Sequence, residues 1–457
     1  MTRVGIEALY VYSPDYYVDN AELAVARGSA PKHFTEGVGV KTFSVPPPDE
    51  DQSSMAATAA HRLMEAYGVS PKDIFRIDTP TESGLDGSRA LVSDVVGMLE
   101  QVYGSGSLSH VLGYEQKFAC VSGMERYLDT SAWFAAAWNT SKYALIVSTD
   151  IAKYELRSRE EPTQGAAAAA ILVGADPKLL EIVPGAIGSA LRHEKGDFKK
   201  PGGRTVALVD GARSYASYLT EMKLAWLNFQ TAAAKVGLIK PSKGKATIDG
   251  IDKAVYHNPH KKMVISAYAS LLMHEWRSLP RWKQVEAAIG PEPSRQGMDD
   301  VAYYMSEAYG DFRRKFMNSK EFIDDFARRV GSSVIGPELI GNSYSVSVFV
   351  GLDSMFENER EDLGGKRVVL CGYGSGSHAV IQANVVPDGF KEASRKFDLV
   401  PRLNARKKLS IEQYEDIHSG KISPDEWRDR ASNRFVLKSI GLEGTRTEGD
   451  RSYLLGN

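Results

Sequence analysis

Cysteine is nearly absent from this chain: Cys120 and Cys371 are the only two in 457 residues. Two thiols so far apart supply neither a disulfide framework nor the clustered spacing of a zinc site, so no metal is expected, and reduced thiols point to a cytoplasmic protein. No run of about 18 apolar residues occurs, which excludes a helical membrane span. Neither sign of charge is in large excess. The 56 Lys and Arg stand against 58 Asp and Glu, a net charge of −2, so there is no basic field for nucleic acid or an anionic membrane. The stretch Met1 to Leu9 lacks the long apolar core of a signal peptide and reads as a first strand. What is present, 43% hydrophobic and 25% charged residues, is ordinary for a soluble globular protein.

The length allows roughly two to four domain-sized units, or two halves sharing one sheet system. Short apolar runs at Ala144–Asp150, Ala169–Val173, Arg367–Tyr373 and His378–Val385 read as buried strands. Between them run helical stripes: Met55, Ala59 and Leu63; Leu91, Val95, Met98 and Val102; and a third that starts at Met124. Strands alternating with such helices predict a layered α/β protein. Residues from about 265 to 330 are mostly helical and charged, broken by Pro280, Pro291 and Pro293, and read as a decoration. After Pro387 the chain turns polar and reads as an appended segment, not core.

Five segments combine a functional side chain with a strand end or a glycine-rich turn, where sites tend to be built. Cys120 lies just ahead of the third helical stripe, where the positive end of the backbone dipole favours thiolate. Inert burial is the competing reading. Glu82 follows the strand-like Ile74–Ile77 and a proline; a carboxylate held there can be desolvated and used for proton transfer, or can simply cap a helix. His257, in Tyr256-His257-Asn258-Pro259-His260-Lys261-Lys262, stands at the mouth of a short strand and could donate to a thioester carbonyl or pair with a thiolate. Gly341-Asn342-Ser343-Tyr344 and Gly372-Tyr373-Gly374-Ser375-Gly376-Ser377 are turns whose exposed N–H groups can form an oxyanion hole. The second is neither a Walker motif nor a Rossmann fingerprint.

Taken in order, these strings resemble the hydroxymethylglutaryl-CoA synthase family of the thiolase superfamily, in its longer bacterial and archaeal form. The likeness includes Tyr16-Tyr17-Val18-Asp19, Thr81-Glu82-Ser83, Ala119-Cys120, Ser148 through Tyr154, Glu161 through Ala166, Leu208-Val209-Asp210-Gly211, the His257 motif, Gly341-Asn342 with Tyr344, Tyr373 through Ser377, and Arg434-Phe435 through Ile440. It implies a five-layered α-β-α-β-α fold of two similar halves, 1–180 with Glu82 and Cys120, and 181–386 with His257, Asn342 and the Ser375 loop. A helical insertion near 265–330 and a C-terminal extension over 387–457 complete the expected organisation.

The resemblance also implies an acyltransferase on the mevalonate route to isoprenoids. It would condense acetyl-CoA with acetoacetyl-CoA and water, without a cofactor. Carried over by position, Cys120 accepts the acetyl group, Glu82 is the general acid/base, and His257 positions acetoacetyl-CoA. Asn342 holds the acyl group, and the N–H groups of Cys120 and the Ser375 loop meet the oxyanion. Lys262 matches a lysine near the CoA phosphates, while Tyr154 and Thr163 match positions lining the acyl and pantetheine channel. A homodimer is implied, and association with an acetoacetyl-CoA thiolase is compatible with the family.

The chain departs from the family pattern at Phe118, Val121, His260 and Val346, which are expected to alter the acyl-pocket wall. His260 is a second candidate for the histidine role. Two other readings stand beside the main one. A β-branching synthase would use the same three groups on carrier-protein substrates, and a non-catalytic acyl-CoA-binding scaffold would be expected to have lost its nucleophile.

Overall fold

The computed structural model describes residues 3–136, 142–240, 244–359, 361–427 and 433–456; Met1 and Thr2 of the N-terminal run lie outside them. Strands β1 (Gly5–Tyr12), β2 (Ile74–Pro80), β3 (Leu112–Gln116), β4 (Tyr143–Ala152), β5 (Gly165–Gly174), β6 (Leu180–Leu191), β7 (Lys253–Tyr256), β8 (Arg367–Gly374) and β9 (His378–Val385) hydrogen-bond in the order β7-β8-β9-β6-β1-β5-β4-β2-β3. The sheet system is pinched in the middle. There β1 meets β6 through Gly5–Glu181 and Ile6–Leu180, and a Cβ on Gly5 would come within 1.9 Å of the Leu180 carbonyl oxygen. An N-terminal part (β3-β2-β4-β5-β1) and a C-terminal part (β6-β9-β8-β7) result.

Helices α1 (Gln52–Tyr67), α2 (Val92–Tyr103), α3 (Ser122–Ala135), α4 (Gly211–Lys235), α5 (Lys261–Trp276) and α6 (Ser347–Asn358) complete the layers. Successive strand residues face opposite sides, so each strand feeds two cores. From β4, Leu145 and Val147 pack outward on Met55, Leu63 and Val95 of α1 and α2. Ala144 and Ile146 pack inward on Met124 and Tyr127 of α3 and on Phe349 and Leu352 of α6. The same inner cluster takes Val255, Leu370 and Val380 from the C-terminal part, which places α3 and α6 between the two parts. Val369 and Ile381 face Trp226 and Leu272 of α4 and α5 on the far side. This is the five-layered thiolase-like arrangement.

The helices after α5 add Trp282, Phe312, Phe316 and Phe322 to that outer core. The segment after Pro387 departs from its reading as non-core. Leu399 and Leu403 enter the central cluster, Phe435 packs beneath α1, and buried Arg434 pairs with Asp49 and Glu50. Its apolar residues are few and aperiodic because each fills a separate groove, a pattern no helical or strand period reveals. Among the described residues no helix is long and apolar enough to cross a membrane.

Candidate active site

β2 runs parallel to both β3 and β4, and β7 runs parallel to β8. Parallel strands end on the same edge, where open α/β sheets place their ligands. Glu82 follows β2, Cys120 follows β3, His257 follows β7 and Ser375 follows β8. The fold therefore delivers four of the expected residues to strand ends.

Two of them touch. The Cys120 Sγ donates to Glu82 Oε2 at 2.9 Å, and Cys120 is only 7% exposed. Cys120 is presented by a strained turn, with Ala119 at a φ of 43°, a conformation that costs a non-glycine residue energy. Gly374 packs directly on this turn. A Cβ there would lie 2.7 Å from the Phe118 carbonyl oxygen and 2.9 Å from the Val121 nitrogen, so the Ser375 loop meets the Cys120 turn only because position 374 is glycine.

Burial pushes the Cys120 thiol well above its ordinary pKa, and the neighbouring Glu82 charge adds to it. The thiolate expected from the helix terminus is thus not the resting form. A dipole worth roughly 0.3–1 kcal/mol is outweighed by desolvation, which can move a buried group several pKa units. The same burial raises Glu82 to about 7, against a lowering by Lys200. A carboxyl group with that value exchanges protons readily near neutrality.

Asp150, on β4 and fully buried, holds the Glu82 loop. Its Oδ1 accepts from Thr81 Oγ1 at 2.9 Å, Glu82 N at 2.8 Å, Ser83 N at 2.9 Å and Ser83 Oγ at 2.6 Å. Its Oδ2 accepts from Ser345 N at 3.0 Å and from the Ser345 hydroxyl. One carboxylate thereby ties the Glu82 loop to the Asn342–Ser345 loop of the other half. Sequence reasoning gave Asp150 no role, although a charge closing the apolar run 144–150 is a visible signal. Asp150→Asn places an amide donor among these donors. It is expected to cost about 3 kcal/mol of stability and to slow acetyl-enzyme formation, read by thermal unfolding and by timed intact mass.

Asn342, 4% exposed, donates from Nδ2 to the Tyr154 hydroxyl at 3.3 Å and accepts from Tyr344 N at 3.0 Å. Its own N–H binds the Thr163 carbonyl at 3.0 Å, while the Thr163 hydroxyl is occupied by Glu160 O at 2.7 Å. This contact needs Gly341, with a φ of 82° and an ideal Cβ position 1.8 Å from Gln164 O. Tyr154 is buried, and its backbone is fixed by Gln164 Oε1 at 2.9 Å and by the His418 ring at 2.8 Å. The half-buried Ser375 bonds Asp197, whose carboxylate also accepts from Tyr373 at 3.2 Å and Gly376 N at 3.3 Å.

His257 is 1% exposed. Its N–H binds Cys371 O at 2.7 Å, and its carbonyl accepts from Tyr218 at 2.6 Å. Its ring stacks on Tyr373 at 6.5 Å, and Tyr373 lies within electrostatic reach of Cys120. Burial, then the nearby His260, lowers its pKa to about 3, which keeps the imidazole neutral; its Nδ1 has no hydrogen-bond partner among the described residues. His260, the other candidate, turns its Nδ1 to Val38 O at 3.2 Å. Lys262 is exposed on the first turn of α5 and is not among the residues lining the cavity described next. Val121 and Val346 belong to the central core between the two parts, not to the pocket wall. Phe118 does line the cavity and packs edge-on to His378 at 5.2 Å.

Above Glu82 and Ser375 opens a cavity of about 1000 Å³. Six Lys and Arg side chains, Lys199, Lys200 and Arg204 among them, line it beside five carboxylates, Glu50, Asp51, Glu82, Asp86 and Glu115. Cys371, in contrast, is fully buried in β8 and serves packing.

The family model described as hydroxymethylglutaryl-coenzyme A synthase N terminal matches residues 1–178, and its C-terminal counterpart matches residues 188–422. A hydroxymethylglutaryl-CoA synthase of Haloferax volcanii is 32% identical over 423 residues, covering 92% of both chains. One of Schizosaccharomyces pombe is 29% identical over 420 residues, covering 90% of this chain and 88% of its own. Among solved structures, MvaS in complex with 3-hydroxy-3-methylglutaryl coenzyme A superposes with a TM-score of 0.83 at 30% identity, covering 100% of both chains. The curacin-pathway HMG synthase in complex with acetyl donor-ACP, at 23% identity and a TM-score of 0.78 over 99% of this chain and 100% of its own, shares the fold.

Proposed function

Because the chain belongs to the hydroxymethylglutaryl-CoA synthase family and is an enzyme of that activity, we propose that it joins acetyl-CoA to acetoacetyl-CoA through an acetyl-Cys120 intermediate. The observation that carries this reading is the 2.9 Å bond from the Cys120 thiol to Glu82, with Glu82 on the wall of the large cavity. In the first step the Sγ proton passes to Glu82, sulfur attacks the acetyl carbonyl, and CoA leaves as the thiol with that proton. Glu82, again a carboxylate, then takes a proton from the acetyl methyl, the enolate carbon attacks C3 of acetoacetyl-CoA, and the proton on Glu82 passes to the C3 oxygen. Neutral His257 donates to the C3 oxygen without competing for the proton, because its low pKa keeps it uncharged at working pH. Water finally cleaves the thioester to Cys120, leaving a free carboxylate on the product. Splitting the reaction in this way divides one high barrier into smaller ones.

The test is turnover with both CoA thioesters. Release of CoA dependent on both substrates, with formation of 3-hydroxy-3-methylglutaryl-CoA, supports the reading. Turnover only with carrier-protein-bound acyl groups would replace it with the β-branching reaction, and binding without turnover would leave a scaffold.

The homodimer belongs to the same proposal. Strand β3 ends the sheet with Leu112 47% and Tyr114 48% exposed. An apolar, unpaired edge of this kind invites pairing with a second copy. Leu112→Asp is expected to shift the protein from dimer to monomer in light scattering after gel filtration. A monomeric parent protein would remove the assignment.

A further inference from the structure

Lys200 follows the short strand Phe198–Lys199 and precedes the tight turn Pro201–Gly203. Its Nζ is buried and has no hydrogen-bond partner among the described residues. It lies 4.4 Å from the centroid of the Tyr344 ring and 5.8 Å from that of Phe198. Those rings contact each other at 5.7 Å, and Phe198 reaches Tyr154 at 6.5 Å. An ammonium group taken out of water needs compensation, and ring faces return only part of it. The remainder must come from negative charge in the same enclosure. Lys200 shares the cavity wall with Glu82, Phe118, Ala119 and Ser375.

We propose that Lys200 is a positioning residue for the acetyl transfer to Cys120, the cation that keeps the Cys120–Glu82 pair ready to transfer the thiol proton. This rests on the function proposed above. The groups acting on Glu82 are Asp150 and Asp197, two carboxylates that oppose its ionisation, together with Cys120 and Lys200, which favour it. Tyr154 and Tyr344 also face the pair, and burial raises both phenols so that they stay neutral. Cys120 experiences the same opposition, with Glu82 and Asp150 raising its pKa and Lys200 lowering it. Without Lys200, two acids and a low-dielectric pocket would hold the proton on Glu82 to higher pH. Sulfur would then have no acceptor for its own proton. The aromatic cage explains why the ammonium stays near the pair: its flat walls hold the chain in place and supply no anion to neutralise it.

The experiment is the rate of Cys120 alkylation by iodoacetamide against pH, followed by intact mass, in the parent enzyme, Lys200→Met and Lys200→Arg. Cys120→Ala supplies the blank for Cys371. Lys200→Met is expected to slow alkylation roughly tenfold at about pH 7 and to move the rising limb to higher pH, while Lys200→Arg retains the parental limb. If Lys200→Met does not fold, Lys200→Gln carries the same expectation. A parental profile in the uncharged variants overturns the proposal, as does a profile in Lys200→Arg matching theirs. A raised KM for acetyl-CoA with unchanged alkylation would make Lys200 a substrate contact instead, and would likewise overturn it. Alkylation uses neither CoA thioester, so an enzyme that fails to condense them would defeat the proposed function without touching this result.

Discussion

Cys120→Ala is expected to abolish the covalent intermediate. After incubation with acetyl-CoA, intact mass should show no added acetyl group, and turnover should fall by at least about 10⁴-fold. No other side chain can take over. Cys371, the only other thiol, is fully buried and its pKa is pushed far up by burial, and among the described residues its sulfur meets the Tyr256 hydroxyl and no carboxylate. The substitution removes one sulfur atom from a site already opening on a cavity, so the fold should lose no more than about 1 kcal/mol. Loss of labelling with an unchanged unfolding midpoint would therefore report chemistry, not damage. Cys371→Ala is the matching control and should label fully. Full labelling of Cys120→Ala would remove the nucleophile assignment and with it the order of steps proposed above.

The strands of the core were legible from sequence because they are buried on both faces. Ala144–Asp150 and Arg367–Tyr373 are continuous apolar runs, the form a two-sided strand must take. The three helical stripes fell where α1, α2 and α3 lie, because their apolar residues recur at helical spacing. Two kinds of information were hidden. One was the protonation state of Cys120: position along the chain reveals a helix terminus but not the desolvation that outweighs it. The other was the set of groups that hold the site from across the fold. Asp150, Tyr218, Tyr373 and the Asp197–Lys200 loop come from four separate segments, and their meeting depends on two parts of a sheet closing over α3 and α6. Lys199-Lys200-Pro201 reads as a plain loop, since nothing local distinguishes a solvated lysine from one enclosed by Tyr344 and Phe198. The polar tail misled in a similar way, because Arg434 is charged in sequence yet buried against Asp49 and Glu50 in the fold.

Glu82→Gln is expected to separate the two halves of the reaction. The loop should survive, since Asp150 grips the backbone N–H of Glu82 and not its side chain, and glutamine fills the same volume. Overall turnover should fall about 10⁴-fold, because a weak carbon acid loses its only adjacent base. Acetyl-enzyme should nevertheless accumulate, more slowly than in the parent, since the thiol has lost its 2.9 Å acceptor but can still surrender its proton to water. The pH dependence carries the sign. Glu82 must be a carboxylate to act, and with its pKa raised to about 7 the parental rate should fall as pH drops through that value. In Glu82→Gln the limb near 7 should disappear from whatever activity remains. Two readouts decide the matter: exchange of the acetyl methyl protons with deuterated water on the acetyl-enzyme, and the pre-steady-state rate of acetylation. Exchange should stop in the variant while acetylation persists. If Glu82→Gln exchanged and condensed at the parental rate, the base would have to be sought elsewhere along the cavity wall, and the thiol's bond to Glu82 would be a resting contact without a part in catalysis.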